Sequence, residues 1–351
     1  NMIGIGVATG AAGIIVGTVS LTGAHQVVGE FVEFLSGGSL IAMLLLVAVM
    51  SLILGMGLPT TANYIVVSSL MAPVIVSVGA QQGLIVPLVA VHLFVFYFGI
   101  LADDTPPVGL AAFAAAAISG GDPIRTGIQG FTYDIRTALL PFLFIFNTEL
   151  LLIDVSVGKA FFVFAVAVIA MMLFAAATQG FFLVRNRLWE TLALLLISFT
   201  LFRPGFWLDQ VQPPYNDRPG TEILSLAESD FENNSLRLTV RGTDFDNPDR
   251  TIDLAVLADL GPKADALTRL THAGLTIIEE DGKALLEEPM PGTPFFTKFQ
   301  IFDFYGDQPV EITNVQLPAE RMIKEVFYLP ALLLLGLIYL MQRGRKRAFS
   351  N

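Results

Sequence analysis

Apolar stretches about long enough to cross a bilayer recur along this chain, at residues 39–57, 84–101, 138–153, 160–184, 188–202 and 327–341. A helix spanning a hydrocarbon core about 30 Å thick needs roughly 20 apolar residues. Inside lipid only helices or closed barrels satisfy their own backbone. Two further apolar runs, 62–78 and 107–119, are shorter or adjoin proline and glycine, as half-helices or re-entrant segments do. The opening run, 2–21, is rich in glycine and alanine, which suits close helix contacts. Of 351 residues, 54% are hydrophobic and 15% charged, more apolar surface than a soluble globule could bury. The expected fold class is therefore an all-α polytopic membrane protein. Cysteine is absent, which excludes a disulfide framework, a thiolate metal site and a cysteine nucleophile.

Charge divides the chain into two parts suited to different solvents. Residues 206–325 carry 22 acidic and 10 basic side chains, net -12, whereas the remainder carries 9 and 10, net +1. Lys and Arg favour the cytoplasmic side of a membrane. Arg125 and Arg136, then Arg185 and Arg187, then Arg343, Arg345, Lys346 and Arg347 are expected there. The acidic block then lies outside and the last helix returns inward. Lys159 and Arg203 are the exceptions at outer ends. No other basic stripe exists, so nucleic acid is not an expected partner. Asn1-Met2-Ile3-Gly4 lacks the features of a signal peptide, and we expect the chain to be part of a longer one with transmembrane segments upstream.

Within the acidic block, Leu236, Leu238 and Val240 alternate with Arg237, Thr239 and Arg241, and Ile252, Leu254 and Val256 repeat the pattern of half-buried strands. Residues 263–273 place Ala264, Leu267 and Leu270 on one helical face and stop at Gly274. Residues 275–278, the turn Asp281-Gly282 and residues 283–286 predict a hairpin. The block is expected to be a small α+β domain tethered by the proline-rich run from Pro213-Pro214 to Pro219-Gly220. Phe295, Phe296, Phe299, Phe302 and Phe304 are expected as core and edge-strand packing. The expected divisions are 1–153, further transmembrane helices at 154–205, the α+β domain at 206–325, and a final helix with a basic tail at 326–351.

Two interruptions carry the chemistry. The first is Gly55-Met56-Gly57-Leu58-Pro59-Thr60-Thr61-Ala62-Asn63. Two glycines and a proline break helical hydrogen bonding at membrane depth, which is tolerated where the freed carbonyls are buried in protein or line a cavity that can hold a cation. Thr60, Thr61 and Asn63 add side-chain oxygens. A tight surface loop with Pro59 opening the next helix accounts for the same run. The second is Leu101-Ala102-Asp103-Asp104-Thr105-Pro106-Pro107-Val108-Gly109. Asp103 and Asp104 read as helix-capping or surface residues before they read as candidates for proton or cation handling. His92, on an apolar stretch, reads as a hydrogen-bonded packing residue before a proton carrier.

Two broken segments in one membrane unit point to a transporter site near the midplane. The first run continued to Tyr64, then His92-Leu93-Phe94-Val95-Phe96-Tyr97-Phe98, then Asp104-Thr105-Pro106-Pro107-Val108-Gly109-Leu110-Ala111-Ala112-Phe113, then Gly121-Asp122-Pro123, resembles the large (DctM-like) permease subunit of tripartite ATP-independent periplasmic (TRAP) transporters, specifically the fused type served by TAXI binding proteins. The resemblance covers residues 5–152. It implies an elevator-type permease of two inverted repeats, this chain holding the second, with a re-entrant hairpin at 5–31 and broken helices. It further implies a coupling-cation site from Gly55, Met56, Gly57, Thr60, Thr61, Thr105, Pro106 and Pro107, with Thr18, Ser20, Thr22 and Asn63 near the substrate. In the sialic-acid branch an acidic residue stands where this chain has Pro59, which leaves coupling open between sodium and protons. No other cofactor is implied. The implied partners are a periplasmic TAXI-type binding protein, the first repeat and small-subunit region of the permease, and membrane lipids, in a bacterial inner membrane. The outer block resembles the C-terminal extension of some fused TRAP permeases, faintly PDZ-like at Gly292-Thr293-Pro294.

The expected function is import of small organic anions, such as carboxylates, under an ion gradient. The alternative is a membrane-anchored periplasmic scaffold or peptide-binding protein. An enzyme is not expected: the chain has no His-Glu-x-x-His pair and no Gly-x-Ser-x-Gly elbow, and its three histidines, His25, His92 and His272, are scattered.

Overall fold

The structure, a computed structural model, describes residues 7, 10, 11, 13–15, 17, 18, 21–37, 39–55, 60–102, 105, 109–229, 234–280 and 282–350. It is mostly helical with one small antiparallel sheet. After a turn at Gly23 the helices are α1 (Ala24–Ser36), α2 (Leu40–Gly55), α3 (Thr60–Gln81), α4 (Leu88–Leu101), α5 (Leu110–Ser119) and α6 (Pro123–Phe146). Then come α7 (Val157–Thr178), α8 (Leu188–Phe202) and α9 (Pro204–Val211). Among the described residues three helices are long and apolar enough to cross a membrane: Thr60–Gln81, Val157–Thr178 and Lys324–Lys346. A fourth is reached if α8 and α9, bent by 80° at Pro204, form one span. Pro204 ends α8 because it has no N–H to donate and restricts the residue before it.

Two expectations about the membrane part change. The run 62–78 is not a half-helix: it belongs to α3, which has 22 residues and tolerates Pro73 inside it. Ser69 Oγ donates to the carbonyls of Ile65 (2.8 Å) and Val66 (3.0 Å) in the turn before that proline. Of the stretch 138–153, residues 148–151 form a separate 3₁₀ turn and residues 138–146 are the second part of a longer helix that starts at Pro123. Asp122 caps it, accepting from Arg125 N at 2.8 Å with Pro123 in the first turn, and it ends at Phe146. By contrast α5 has 10 residues, half a membrane crossing.

The two basic residues at odds with the charge pattern have partners. Lys159 Nζ lies 2.6 Å from Glu149 Oε1, and Lys324 Nζ lies 2.5 Å from its Oε2. The Arg203 guanidinium sits 4.4 Å from the centre of the Phe146 ring and 5.5 Å from that of Phe206, where cation–π attraction replaces part of its hydration. At the opposite end of α7 and α8, Glu190 is fully buried. Its carboxylate accepts from Arg187 N (2.8 Å), Gln342 Nε2 (3.0 Å) and Arg345. Gln342 Oε1 in turn accepts from Leu183 N (2.9 Å) and Val184 N (3.2 Å). Gln342 Nε2 also donates to Asn186 Oδ1 at 3.0 Å, so its amide is paired on both sides, which favours one register for a buried polar network. Above it, Leu173, Leu194 and Ile338 pack α7 and α8 against the last helix, α13 (Tyr328–Ser350).

The sheet runs β3-β2-β6-β5-β4 with β1 also on β6, all pairs antiparallel. Its strands are β1 (Tyr215–Pro219), β2 (Ser235–Thr243), β3 (Thr251–Asp259), β4 (Ile277–Glu280), β5 (Lys283–Leu286) and β6 (Glu311–Pro318). The expected strands and hairpin are present, and helices α10 (Ile223–Glu228), α11 (Ala266–Ala273) and α12 (Phe296–Phe299) pack beside them. The expected proline-rich tether is instead strand β1, held by backbone pairing of Tyr215 with Pro318 through Pro219 with Asn314. The phenylalanine run is core without being strand. Phe295, Phe299 and Phe302 are buried around the single turn α12, and Phe295 stacks on Phe299 with centroids 5.1 Å apart.

Helix α11 is bounded as its sequence predicts. Gly274 takes φ +80 at its end. Asp265 caps its start, accepting from Thr268 Oγ1 at 2.7 Å and Thr268 N at 3.0 Å. The threonine hydroxyl first, and then the backbone N–H, hold this carboxyl below its ordinary value. A carboxyl depressed on folding contributes stability that is complete above the ordinary value of 3.8 and lost as pH falls through the folded one. Thermal unfolding of the sheet unit between about pH 6 and pH 3 is expected to show this loss in the parent chain. Asp265→Asn, an equally good cap with no charge to titrate, should lack that component; equal acid sensitivity in both proteins contradicts it.

Candidate ion and substrate site

The site is built where α2 ends, α3 begins and α4 ends. Helix α2 is apolar along its length and stops at Gly55; α3 resumes at Thr60. Between them Met56, Gly57, Leu58 and Pro59 lie outside the described residues, as do Asp103, Asp104, Pro106, Pro107 and Ser20. The described residues of the two interruptions converge. A Cβ added to Gly55 would lie 2.4 Å from Ala102 Cβ and 2.6 Å from Asn63 Nδ2, closer than real contacts allow. A Cβ on Gly99 would lie 3.4 Å from the same nitrogen and 3.9 Å from the Thr60 carbonyl oxygen. Only small residues permit three chain segments to approach like this.

Asn63 occupies the middle of that junction, fully buried. Its Nδ2 donates to the Ser51 carbonyl at 2.9 Å, one turn before the end of α2. Its Oδ1 is buried with no hydrogen-bond partner among the described residues. An unsatisfied buried amide oxygen costs about 1–3 kcal/mol unless something polar or cationic meets it. Ser51 is buried too and donates from Oγ to the Val47 carbonyl at 2.8 Å. Thr60 is half-buried and Thr61 exposed at the start of α3, and Thr105 is half-buried, its Oγ1 donating to the Leu101 carbonyl at 2.6 Å. Among the described residues, the oxygens gathered here are neutral amide, hydroxyl and carbonyl groups. Such a set suits a weakly bound monovalent cation or a polar substrate group better than a divalent ion, which takes carboxylates.

Gly55, Thr60 and Asn63 are thus beside one another, with Ala102 from the second interruption, and Thr105 one turn beyond Leu101. Thr18 and Thr22 stand in the segment before α1. Both are exposed ahead of Gly23, with Thr22 Oγ1 donating to the Thr18 carbonyl at 2.7 Å. The helix that follows sets its Gly29 against Val74, toward the other end of α3 from Asn63. His92 Nδ1 is 3.0 Å from the Tyr64 hydroxyl and its ring tilts on the Tyr64 ring, a tie between α3 and α4 one residue beyond Asn63. Ser51, Gly99 and Ala102 were not singled out from the sequence. The available signal was the pair of small residues three apart at the end of an otherwise bulky α4.

Comparison with known proteins divides the chain in two. Residues 2–159 match the family described as tripartite ATP-independent periplasmic transporter, DctM component, and residues 160–348 match a domain of unknown function, DUF3394. No curated protein and no solved structure matches. The second match takes in most of α7, then α8, the sheet and the last helix; the core at Leu173, Leu194 and Ile338 and the network at Glu190 hold the three helices together, and the sheet has a core of its own. Residues 2–159 thus carry the DctM component of TRAP transporter permeases, a family of inner-membrane transport proteins whose partner is a periplasmic binding protein, and the larger share of the chain, residues 160–348, belongs to the DUF3394 family.

Proposed function

We propose that this permease imports small organic anions, carboxylates above all, released to it by a TAXI-type periplasmic binding protein and driven inward by a sodium or proton gradient. The observation that carries the reading is the buried Oδ1 of Asn63, without a hydrogen-bond partner among the described residues, at the point where Gly55 meets Ala102. In this reading Gly55, Met56, Gly57, Thr60, Thr61, Thr105, Pro106 and Pro107 offer oxygens and chain breaks to the coupling ion. Asn63 faces the substrate with Thr18, Ser20 and Thr22, and Asp103 and Asp104 handle protons if protons drive uptake. The break between α2 and α3 and the short α5 are the features that support one repeat of an elevator-type permease.

Orientation follows the charges. Residues 206–325 face the periplasm and the tail from Arg343 to Arg347 the cytoplasm. The same orientation sets the Glu149 cluster at the outer end of α7 and the Glu190 network at the inner end of α8. The PDZ-like reading of the sheet unit needs an open strand edge for peptide addition, and β3 and β4 stand at the ends of the sheet order.

The test is uptake of radiolabelled carboxylates into proteoliposomes holding the permease and its binding protein, with sodium and proton gradients imposed separately. Uptake that needs the binding protein and one gradient is the expected result. Thr61→Ala and Thr105→Ala should each raise the ion concentration for half-maximal uptake about five- to tenfold, the loss of one neutral oxygen ligand worth about 1 kcal/mol. Unchanged ion dependence in both variants would remove the threonines from the site.

A further inference from the structure

The sheet unit and the transport unit meet at one place remote from the candidate site. Helices α3 and α4 form a hairpin whose connector, residues 82–87, closes tightly: Leu84 N donates to the Gly79 carbonyl at 2.8 Å and Gly83 N to the Ala80 carbonyl at 3.0 Å. Gly83 takes φ +72 there, a conformation that side-chain-bearing residues avoid. Its carbonyl accepts a hydrogen bond from Arg237 Nη2, on β2 of the sheet. The guanidinium is aimed from the sheet side by three further contacts: Nε donates to Gln316 Oε1 at 2.6 Å, Nη1 to the Tyr215 hydroxyl at 3.4 Å, and the cation stands 4.5 Å from the centre of the Tyr215 ring. Ala80 adds an apolar contact to the sheet core. Beside these contacts a cleft of about 390 Å³ separates the connector from the sheet, lined by Gln81 and Gln82 on one side and Thr239 and Ala255 on the other.

The connector and the candidate site are opposite ends of the same hairpin. Thr60 and Asn63 open α3 and Gly99 and Ala102 close α4, whereas Gln81 to Gly83 lie some 30 Å away at about 1.5 Å per helical residue. The two helices are tied to each other near the site by Tyr64 and His92 and at the connector by Gly79, whose Cα approaches Val86 too closely for any side chain. A hairpin fastened at both ends moves as a lever.

We propose that the sheet unit is a latch on this hairpin, with Arg237 as its fastening, and that latching and the state of the ion site are coupled. The proposal rests on the ion-site reading above. Linkage then works in both directions: whatever favours the docked sheet alters ion affinity, and ion binding alters docking by the same factor.

The chain has no cysteine, so two can be introduced without background. Gln82→Cys with Thr239→Cys sets one thiol on each side of the cleft for a short bis-maleimide. In detergent the double variant is expected to cross-link within one chain, and Arg237→Ala should lower the yield severalfold. The yield should also change with sodium concentration or with pH. In proteoliposomes cross-linking should reduce uptake about tenfold relative to single-cysteine variants treated alike. Absence of cross-linking, when each cysteine alone reacts with a monofunctional maleimide, overturns docking. A yield insensitive to sodium, pH and Arg237→Ala, or full uptake in the cross-linked protein, overturns the latch. Lack of uptake before any cross-linking counts against the transport reading instead, and the yield in detergent still decides the latch.

Discussion

Gly55→Ala is expected to lower uptake to near background and to cost about 1–3 kcal/mol of stability, although it adds a single methyl group. That methyl would arrive 2.4 Å from Ala102 Cβ and 2.6 Å from Asn63 Nδ2, so either α4 is pushed from α2 or the Asn63 side chain is turned out of place. Both outcomes disturb the junction that gathers the neutral oxygens. The double variant Gly55→Ala, Ala102→Gly removes the closer of the two clashes and should recover part of the thermal stability and part of the uptake. Equal damage in the single and double variants would mean that the contact with Asn63 alone sets the requirement for glycine. Undiminished uptake in Gly55→Ala contradicts the close approach itself.

Glu190→Ala is expected to have the largest effect on stability, about 3 kcal/mol, because it leaves Arg345, Gln342 Nε2 and Arg187 N facing a place from which their shared acceptor has gone. The change should appear as a lower melting temperature in detergent and as faster proteolysis of the C-terminal tail, since Gln342 and Arg345 anchor the last helix to the turn before α8. Glu190→Gln keeps one acceptor oxygen and loses the charge, so it should fall between the two. A tail no more protease-sensitive in Glu190→Ala than in the parent would show that the apolar core at Ile338 holds the helix unaided.

The alternation at Leu236 to Val240 and Ile252 to Val256, the Asp-Gly hairpin and the stop at Gly274 were legible because each is local. Strand β6, the centre of the sheet, was not. Its buried residues are Ile312 and Val315, three apart, since the register with β2 shifts between Thr239 and Val240 and breaks the two-residue period. Strand β1 has no apolar pattern to find: Tyr215 to Pro219 are held by backbone pairing and by polar contacts such as Gln316 Nε2 donating to Asp217 Oδ1 at 2.8 Å. The glycine and proline interruptions were equally visible in the site, whereas their meeting was not. That Gly55 lies against Ala102, 47 positions later in the chain, is a fact of packing, and no spacing rule brings those two residues together. Glu190 was hidden for a related reason, because its partners Gln342 and Arg345 come after the whole acidic block.

Pro214 and Ala319, the residues where the chain enters and leaves the sheet, are hydrogen-bonded to each other at 3.1 Å, and just below them Arg321 meets Asp209 at 2.7 Å and Met322 N meets Gln212 Oε1 at 3.0 Å. About a hundred residues thus begin and end at one point, the geometry of a domain inserted into a loop between two helices. Such a module can be exchanged as a cassette. A few flexible residues bridging Gln212 and Met322 span the gap, and the helical post beneath keeps its own core and its own buried network. Exchange of the cassette leaves the membrane fold unaltered, so the sheet unit can evolve separately from the helices that carry it.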